Sequence, residues 1–270
     1  MSINPSNTGL QGTTLKQTGS TKLVWITGAS SGLGYELAKR YAENGHTVVA
    51  SARRFEQLQL LCSEATRDAL TGKIIPLMLD VTDQVSVDAA IAKIKEDIGI
   101  PDTVILNAGY YQPCTLDEIT VENFLATYGV NVSGTVRCML GILPALRKRG
   151  NGHLVFVSSV AGYSGLPRAA AYGSSKAALT HLGESIKLEC NAQGIDVTVV
   201  NPGFVKTPLT EKNSFPMPFI MEVETASKAM FKGIESRKFE VIFPKRFAWI
   251  LKLLRILPYR LYFAITRRLL

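Results

Sequence analysis

Short runs of apolar, β-branched residues alternate along this chain with longer stretches whose apolar positions recur at helical spacing. The runs Leu23–Thr27, Thr47–Ser51, Lys73–Leu79, Thr103–Leu106, Leu154–Val157 and Val197–Val200 predict strands. Helices are predicted from the Gly-rich turn after Thr27 to Asn44, with Gly45 as the stop, over Phe55–Leu70, near Val85–Ile98 and over Tyr172–Gln193. A further long helical region ends at Arg149 and is broken near Gly129 and Gly134. The strand runs lack polar alternation, so both their faces are buried, and the helices between them imply parallel crossovers. The predicted fold is α/β, a doubly wound parallel sheet. No linker or internal repeat splits it, so one domain is expected.

Composition narrows this picture. With 270 residues, 46% of them hydrophobic, the chain has the make-up of a packed globular protein. The net charge of +8 is unevenly spread: Phe243 to Leu270 holds seven basic residues and no acidic one. Cys62, Cys114, Cys138 and Cys190 form no C-x-x-C pair, and none lies close to His46, His153 or His181. That argues against a zinc site or disulfide framework, so no metal is expected, and it suits a reducing compartment. Residues 1–21 are polar and read as a loose, disordered leader with no signal-peptide run. No uninterrupted apolar stretch reaches the roughly 18 residues of a membrane span. The expected location is the cytoplasm.

The segment Thr27-Gly28-Ala29-Ser30-Ser31-Gly32-Leu33-Gly34 follows the first strand and opens the first helix. Glycines there let backbone approach a pyrophosphate, while the helix N-terminus offers free N–H groups. From this loop onward the motifs resemble, in order, those of the short-chain dehydrogenases/reductases, over roughly residues 22 to 210. The resemblance implies a Rossmann fold with Asp80 and Val81 at the adenine. It matches Asn107-Ala108-Gly109 to the family's Asn-Ala-Gly signature, and Asn131 to a catalytic residue holding a water in a proton relay. Ser159 stands thirteen residues before Tyr172, and Tyr172-x-x-x-Lys176 matches the active-site pair. Pro202, Gly203, Val205 and Thr207 resemble the segment that holds the nicotinamide amide.

The catalytic set also makes physical sense. Tyr172 and Lys176, four residues apart on one helix, share a face. A free Tyr has a pKa near 10. A neighbouring ammonium and a positively charged nicotinamide ring are expected to lower it, so that Tyr172 works as general acid/base on a carbonyl or alcohol oxygen. Ser159 would hydrogen-bond the same oxygen. The resemblance adds a contact from Lys176 to the nicotinamide ribose. Tyr35-x-x-x-Lys39 is a second match but lacks an upstream Ser-rich strand end, and reads as an ordinary helix pair. Gly162-Tyr163-Ser164-Gly165-Leu166 ends in Leu where a nucleophile elbow needs Gly, which argues against a hydrolase.

The end of the second strand reads Ala50-Ser51-Ala52-Arg53-Arg54, with no acid between Glu43 and Glu56. Arg53 and Arg54 would attract a 2′-phosphate, so NADP(H) is the expected cofactor. Pro208–Met221 matches the family's substrate flap, and its apolar groups point to an apolar or lipid-like carbonyl compound. Phe247–Leu270 reads as a basic amphipathic helix pair interrupted at Pro258, with Lys252 and Arg255 opposite Ile250, Leu253, Leu254 and Leu257. It suits either peripheral contact with an anionic membrane or packing on protein. No nucleic-acid motif is present, and the resemblance implies a homodimer or homotetramer. The expected function is NADPH-dependent carbonyl reduction. The alternatives are a non-catalytic NADP-binding sensor, which would usually lack one of Ser159, Tyr172 and Lys176, and a nucleotide-sugar epimerase or dehydratase.

Overall fold

In the computed structural model, which describes residues 21–267, the six apolar runs form β1 (Leu23–Thr27), β2 (Thr47–Ala52), β3 (Lys73–Met78), β4 (Thr103–Leu106), β5 (Gly152–Val157) and β6 (Ile195–Pro202). A seventh strand, β7 (Glu240–Phe243), extends the sheet. The order is β3-β2-β1-β4-β5-β6-β7, and all neighbours are parallel. The chain winds outward from β1 in both directions, so β1 and β4 flank the switch point at their C-terminal ends, where such sheets bind ligands.

Helices cover both faces. They are α1 (Gly32–Glu43), α2 (Phe55–Arg67), α3 (Gln84–Lys93), α4 (Val121–Tyr128), α5 (Thr135–Arg149), α6 (Ala170–Asn191), α7 (Val223–Glu235), α8 (Lys245–Ile256) and α9 (Tyr259–Thr266). Alternate strand residues feed opposite cores. Ile26 packs with Leu37, Tyr41, Leu58 and Met230 on one face. Trp25 packs with Leu106, Ile142, Leu146 and Phe156 on the other. Full burial of side chains this size contributes about 1.5–3 kcal/mol each.

Two expectations are revised. The sequence predicts no strand after Val200, yet β7 pairs with β6 at the sheet edge. It is four residues long and only alternate positions are buried, so it lacks the continuous apolar run that marks the others. The predicted breaks at Gly129 and Gly134 are instead the ends of one π-helical stretch, Gly129–Gly134, inside a continuous helical run. That run, Val121–Arg149, is long and apolar enough by length and composition to cross a membrane. Its inner residues Cys138, Met139, Ile142 and Leu146 pack instead against the sheet.

Residues 1–20 of the expected leader 1–21 lie outside the described residues, as do residues 268–270 of the expected tail. The rest of the tail forms α8 and α9. The expected polarity of α8 fails at Lys252, which turns inward to an ion pair with Glu240 of β7 and lies over the Tyr163 ring. The tail is thus tied to the sheet, and the expected boundary at residue 247 falls inside a packed helix.

Candidate active site

The loop after β1 is shaped by what its glycines exclude. Gly28 has a φ of +71°, and a Cβ on it would come within 2.7 Å of Ala108 Cα. A Cβ on Gly34 would meet Asn107 Nδ2 at 2.4 Å. The loop is fastened to the end of β4: Thr27 Oγ1 accepts from the N–H groups of Asn107 and Ala108 at 3.0 and 3.1 Å. Asn107 Nδ2 donates to the carbonyls of Thr27 and Gly28. Asn107 thus shapes the loop by binding its backbone. Ser31 is the N-cap of α1 and makes no side-chain cap, which leaves the first N–H groups of that helix to an outside acceptor.

A cavity of about 440 Å³ opens over this loop. Every candidate residue from the sequence lines it except Asn131, and that includes Leu33, Val81, Gly109, Pro202, Gly203 and Val205. At one end stand Arg53 and Arg54, both exposed. Arg54 donates to Ser30 Oγ at 3.1 Å and to Ser31 Oγ at 2.7 Å. Asp80 is partly buried, which alone would raise its carboxyl. Hydrogen bonds from the Thr82 hydroxyl and N–H and the nearby Arg53 charge outweigh this and hold it below the usual range. Thr207 packs where a Cβ on Gly32 would lie, closing the loop from the far side.

At the other end the 3₁₀ turn after β5 meets α6. A Cβ on Gly162 would come within 2.8 Å of the Lys176 carbonyl carbon, so the two backbones touch. Ser158 Oγ donates to the Lys176 carbonyl at 2.7 Å, and Lys176 Nζ donates back to the Val157 carbonyl at 2.8 Å. These contacts place Ser159, Tyr172 and Lys176 around one wall. Lys176 Nζ lies 5.6 Å from the Tyr172 ring centre. Burial lowers its ammonium to about 8.

Burial pushes the Tyr172 phenol up to about 12, the Ser159 hydroxyl pulls against that, and Tyr111 adds to it. Desolvation of the phenolate is the largest of these contributions and keeps Tyr172 protonated at neutral pH; the lowering expected from a positively charged nicotinamide ring is a separate contribution.

Asn131 sits in the π-helical stretch, fully buried behind the wall. Its Nδ2 donates to the Tyr110 carbonyl and to Ser175 Oγ, and its Oδ1 accepts from the Tyr110 N–H at 2.7 Å. A Cβ on Gly109 would lie 3.7 Å from Lys176 Nζ and 3.8 Å from Asn131 Oδ1, so both polar groups stand beside this glycine.

Sequence reasoning missed Tyr111, whose ring meets the Tyr172 ring edge-on at 4.7 Å. Its hydroxyl donates to Asn213 Oδ1 of the flap at 2.7 Å. The available signal was an aromatic residue two positions after the Asn-Ala-Gly run. Phe204, Phe215 and Phe247 complete the apolar end of the cavity. The second Tyr-Lys match lies elsewhere: Lys39 pairs with Glu64 and Asp68 of the α2 region. His153 is buried against Thr198 Oγ1, and burial lowers it to about 3.

The glycine cradle and the free helix N-terminus fit the phosphate chain of a nicotinamide dinucleotide, and the two arginines stand at the same end of the cavity. The sequence profile of the family described as short chain dehydrogenase matches residues 22–216. An uncharacterized oxidoreductase of Myxococcus xanthus is 40% identical over 93% of this chain and 98% of its own length. A 3-oxoacyl-(acyl-carrier-protein) reductase, FabG, of Thermotoga maritima is 35% identical over 71% of this chain and 77% of its own. Among solved structures, a short-chain dehydrogenase from Sphingobium yanoikuyae in complex with NADPH superposes with a TM-score of 0.76 at 29% identity. That superposition covers 83% of this chain and 88% of the other.

Proposed function

Since the chain belongs to the short-chain dehydrogenase family, and so to the NAD(P)-dependent oxidoreductases, we propose that it uses NADPH to reduce an apolar ketone or aldehyde to its alcohol. The observation that carries this reading is the meeting of Ser159, Tyr172 and Lys176 with the phosphate loop in one cavity. NADPH, when bound, supplies the hydride for the carbonyl carbon. Gly28, Gly32 and Gly34 let the loop approach its phosphates, and Arg53 and Arg54 take the 2′-phosphate. The neighbour that binds NADPH supports this choice.

Tyr172, protonated at neutral pH, would give its proton to the carbonyl oxygen. The Ser159 hydroxyl donates to that oxygen where negative charge develops. The Lys176 ammonium stabilises the phenolate left behind. Asn131 acts one step away, by holding the Tyr110 backbone beside this group. The aromatic wall of Phe204, Phe215 and Phe247 favours an apolar substrate, and the 3-oxoacyl activity in the name of one relative is of that class. A homodimer or homotetramer belongs to the same reading.

NADPH absorbance in a panel of ketones, aldehydes and acyl thioesters tests it. Oxidation with at least one carbonyl class is expected. NADPH binding without turnover across the panel would favour a sensor of the same fold.

A further inference from the structure

The outward side of the C-terminal helix pair is apolar where a solvent-facing helix is ordinarily polar. Phe247, Ala248 and Leu251 turn inward from α8, and Tyr262 and Thr266 from α9. Away from the core, Trp249, Leu253 and Ile256 are 58%, 63% and 78% exposed, and Tyr259 and Phe263 are 78% and 61% exposed. At about 100° per residue, Trp249, Leu253 and Ile256 share one side of α8 with Arg246. Exposed apolar side chains clustered along one side of a helix in this way mark interaction sites. Arg246, Arg255, Arg260 and Arg267 are exposed around it, and no acidic residue follows Phe243.

That charge decides the occupant. A second copy meeting this face symmetrically would set arginines against arginines. Residues 1–20 carry one Lys and no acid, so they offer no complement. An anionic bilayer complements both the cations and the aromatic and aliphatic groups.

The same helices reach the cavity. Phe247, on the inner side of α8, lines it and stacks on Phe204 at 5.5 Å, and Phe204 meets Phe215 at 6.0 Å. On the outer side, Phe247 lies 6.0 Å from Phe219, which is 48% exposed. An aromatic file thus runs from the substrate end of the cavity to the surface beside α8. We propose that α8 and α9 dock on an anionic lipid surface and that the cavity draws its apolar carbonyl substrate from that surface. The second half rests on the reductase reading above.

Sedimentation with vesicles tests the docking without any turnover. The full chain should pellet with vesicles of equal phosphatidylglycerol and phosphatidylcholine, stay in solution with phosphatidylcholine alone, and be released in part by salt. Arg246→Gln with Arg260→Gln should weaken binding by at least roughly tenfold, and Trp249→Ser with Leu253→Ser should abolish it. All four side chains are exposed and outside the cavity, so NADPH oxidation with a short water-soluble ketone should be unchanged. With a long-chain ketone presented in the anionic vesicles, the Trp249→Ser, Leu253→Ser variant should be slower by about tenfold or more.

A wild type that stays in the supernatant overturns the proposal. A self-association abolished by the same double variant would then identify a second copy as the occupant. Equal pelleting with neutral vesicles overturns the charge argument, and docking without any effect on the long-chain rate overturns the substrate route. No turnover with any ketone would count against the reductase reading alone, since sedimentation does not depend on it.

Discussion

Gly162 touches Lys176 across the junction of the β5 turn and α6: a Cβ on Gly162 would sit 2.8 Å from the backbone nitrogen of Ala177 and from the Lys176 carbonyl carbon. Both neighbours are backbone, so neither can swing aside. Gly162→Ala should therefore push the turn carrying Ser159 away from Tyr172. Turnover is expected to fall by roughly 10- to 100-fold, as for other sub-ångström to ångström displacements of catalytic groups. NADPH affinity, set mainly at the phosphate loop, should change little. Steady-state kinetics with fluorescence titration of NADPH separates the two effects, and equal losses in both would mean the whole fold has loosened.

Arg53 stands beside Asp80 at the end of β2, while Arg54 already donates to Ser30 and Ser31. Arg53→Asp would place a second carboxylate there and repel a 2′-phosphate. The NADPH over NADH preference in kcat/KM should drop by about 10- to 100-fold, the scale of one charge-assisted contact. An unchanged ratio would assign the phosphate to Arg54.

Lys176 is 3% exposed, and burial lowers its ammonium to about 8, below the free-lysine value of about 10.4. Between those values the unfolded chain binds more protons than the folded one, so stability rises with pH across that window. Below about pH 8 the full cost of the buried charge is present. Lys176→Met should then raise the stability of the free protein at pH 7 by about 1–3 kcal/mol, with a gain that shrinks toward pH 10, while turnover is lost. Urea unfolding at the two pH values measures this. A variant less stable at pH 7 would show that the Lys176–Val157 hydrogen bond outweighs the desolvation.

The first six strands were legible because their apolar runs are buried on both faces, and the phosphate loop because glycine spacing encodes a backbone shape. Other features rest on partners far away in sequence. Lys252 looks like a surface cation until Glu240 is placed opposite it. Tyr111 belongs to no motif, and its part in the wall depends on Tyr172 and Asn213. The state of the Tyr172 phenol is a further case: a helical spacing of four shows that Lys176 is near, whereas the burial that raises the phenol depends on the fold around both.

Tyr172→Phe tests the central claim most directly, since it keeps the ring against Tyr111 and removes only the hydroxyl. With a substrate from the carbonyl panel, NADPH-dependent reduction should fall by at least about 10²-fold, the usual scale of lost general acid catalysis, while the Kd for NADPH stays nearly unchanged. Reduction at a rate comparable to the wild type would contradict the assignment of Tyr172 as the proton donor.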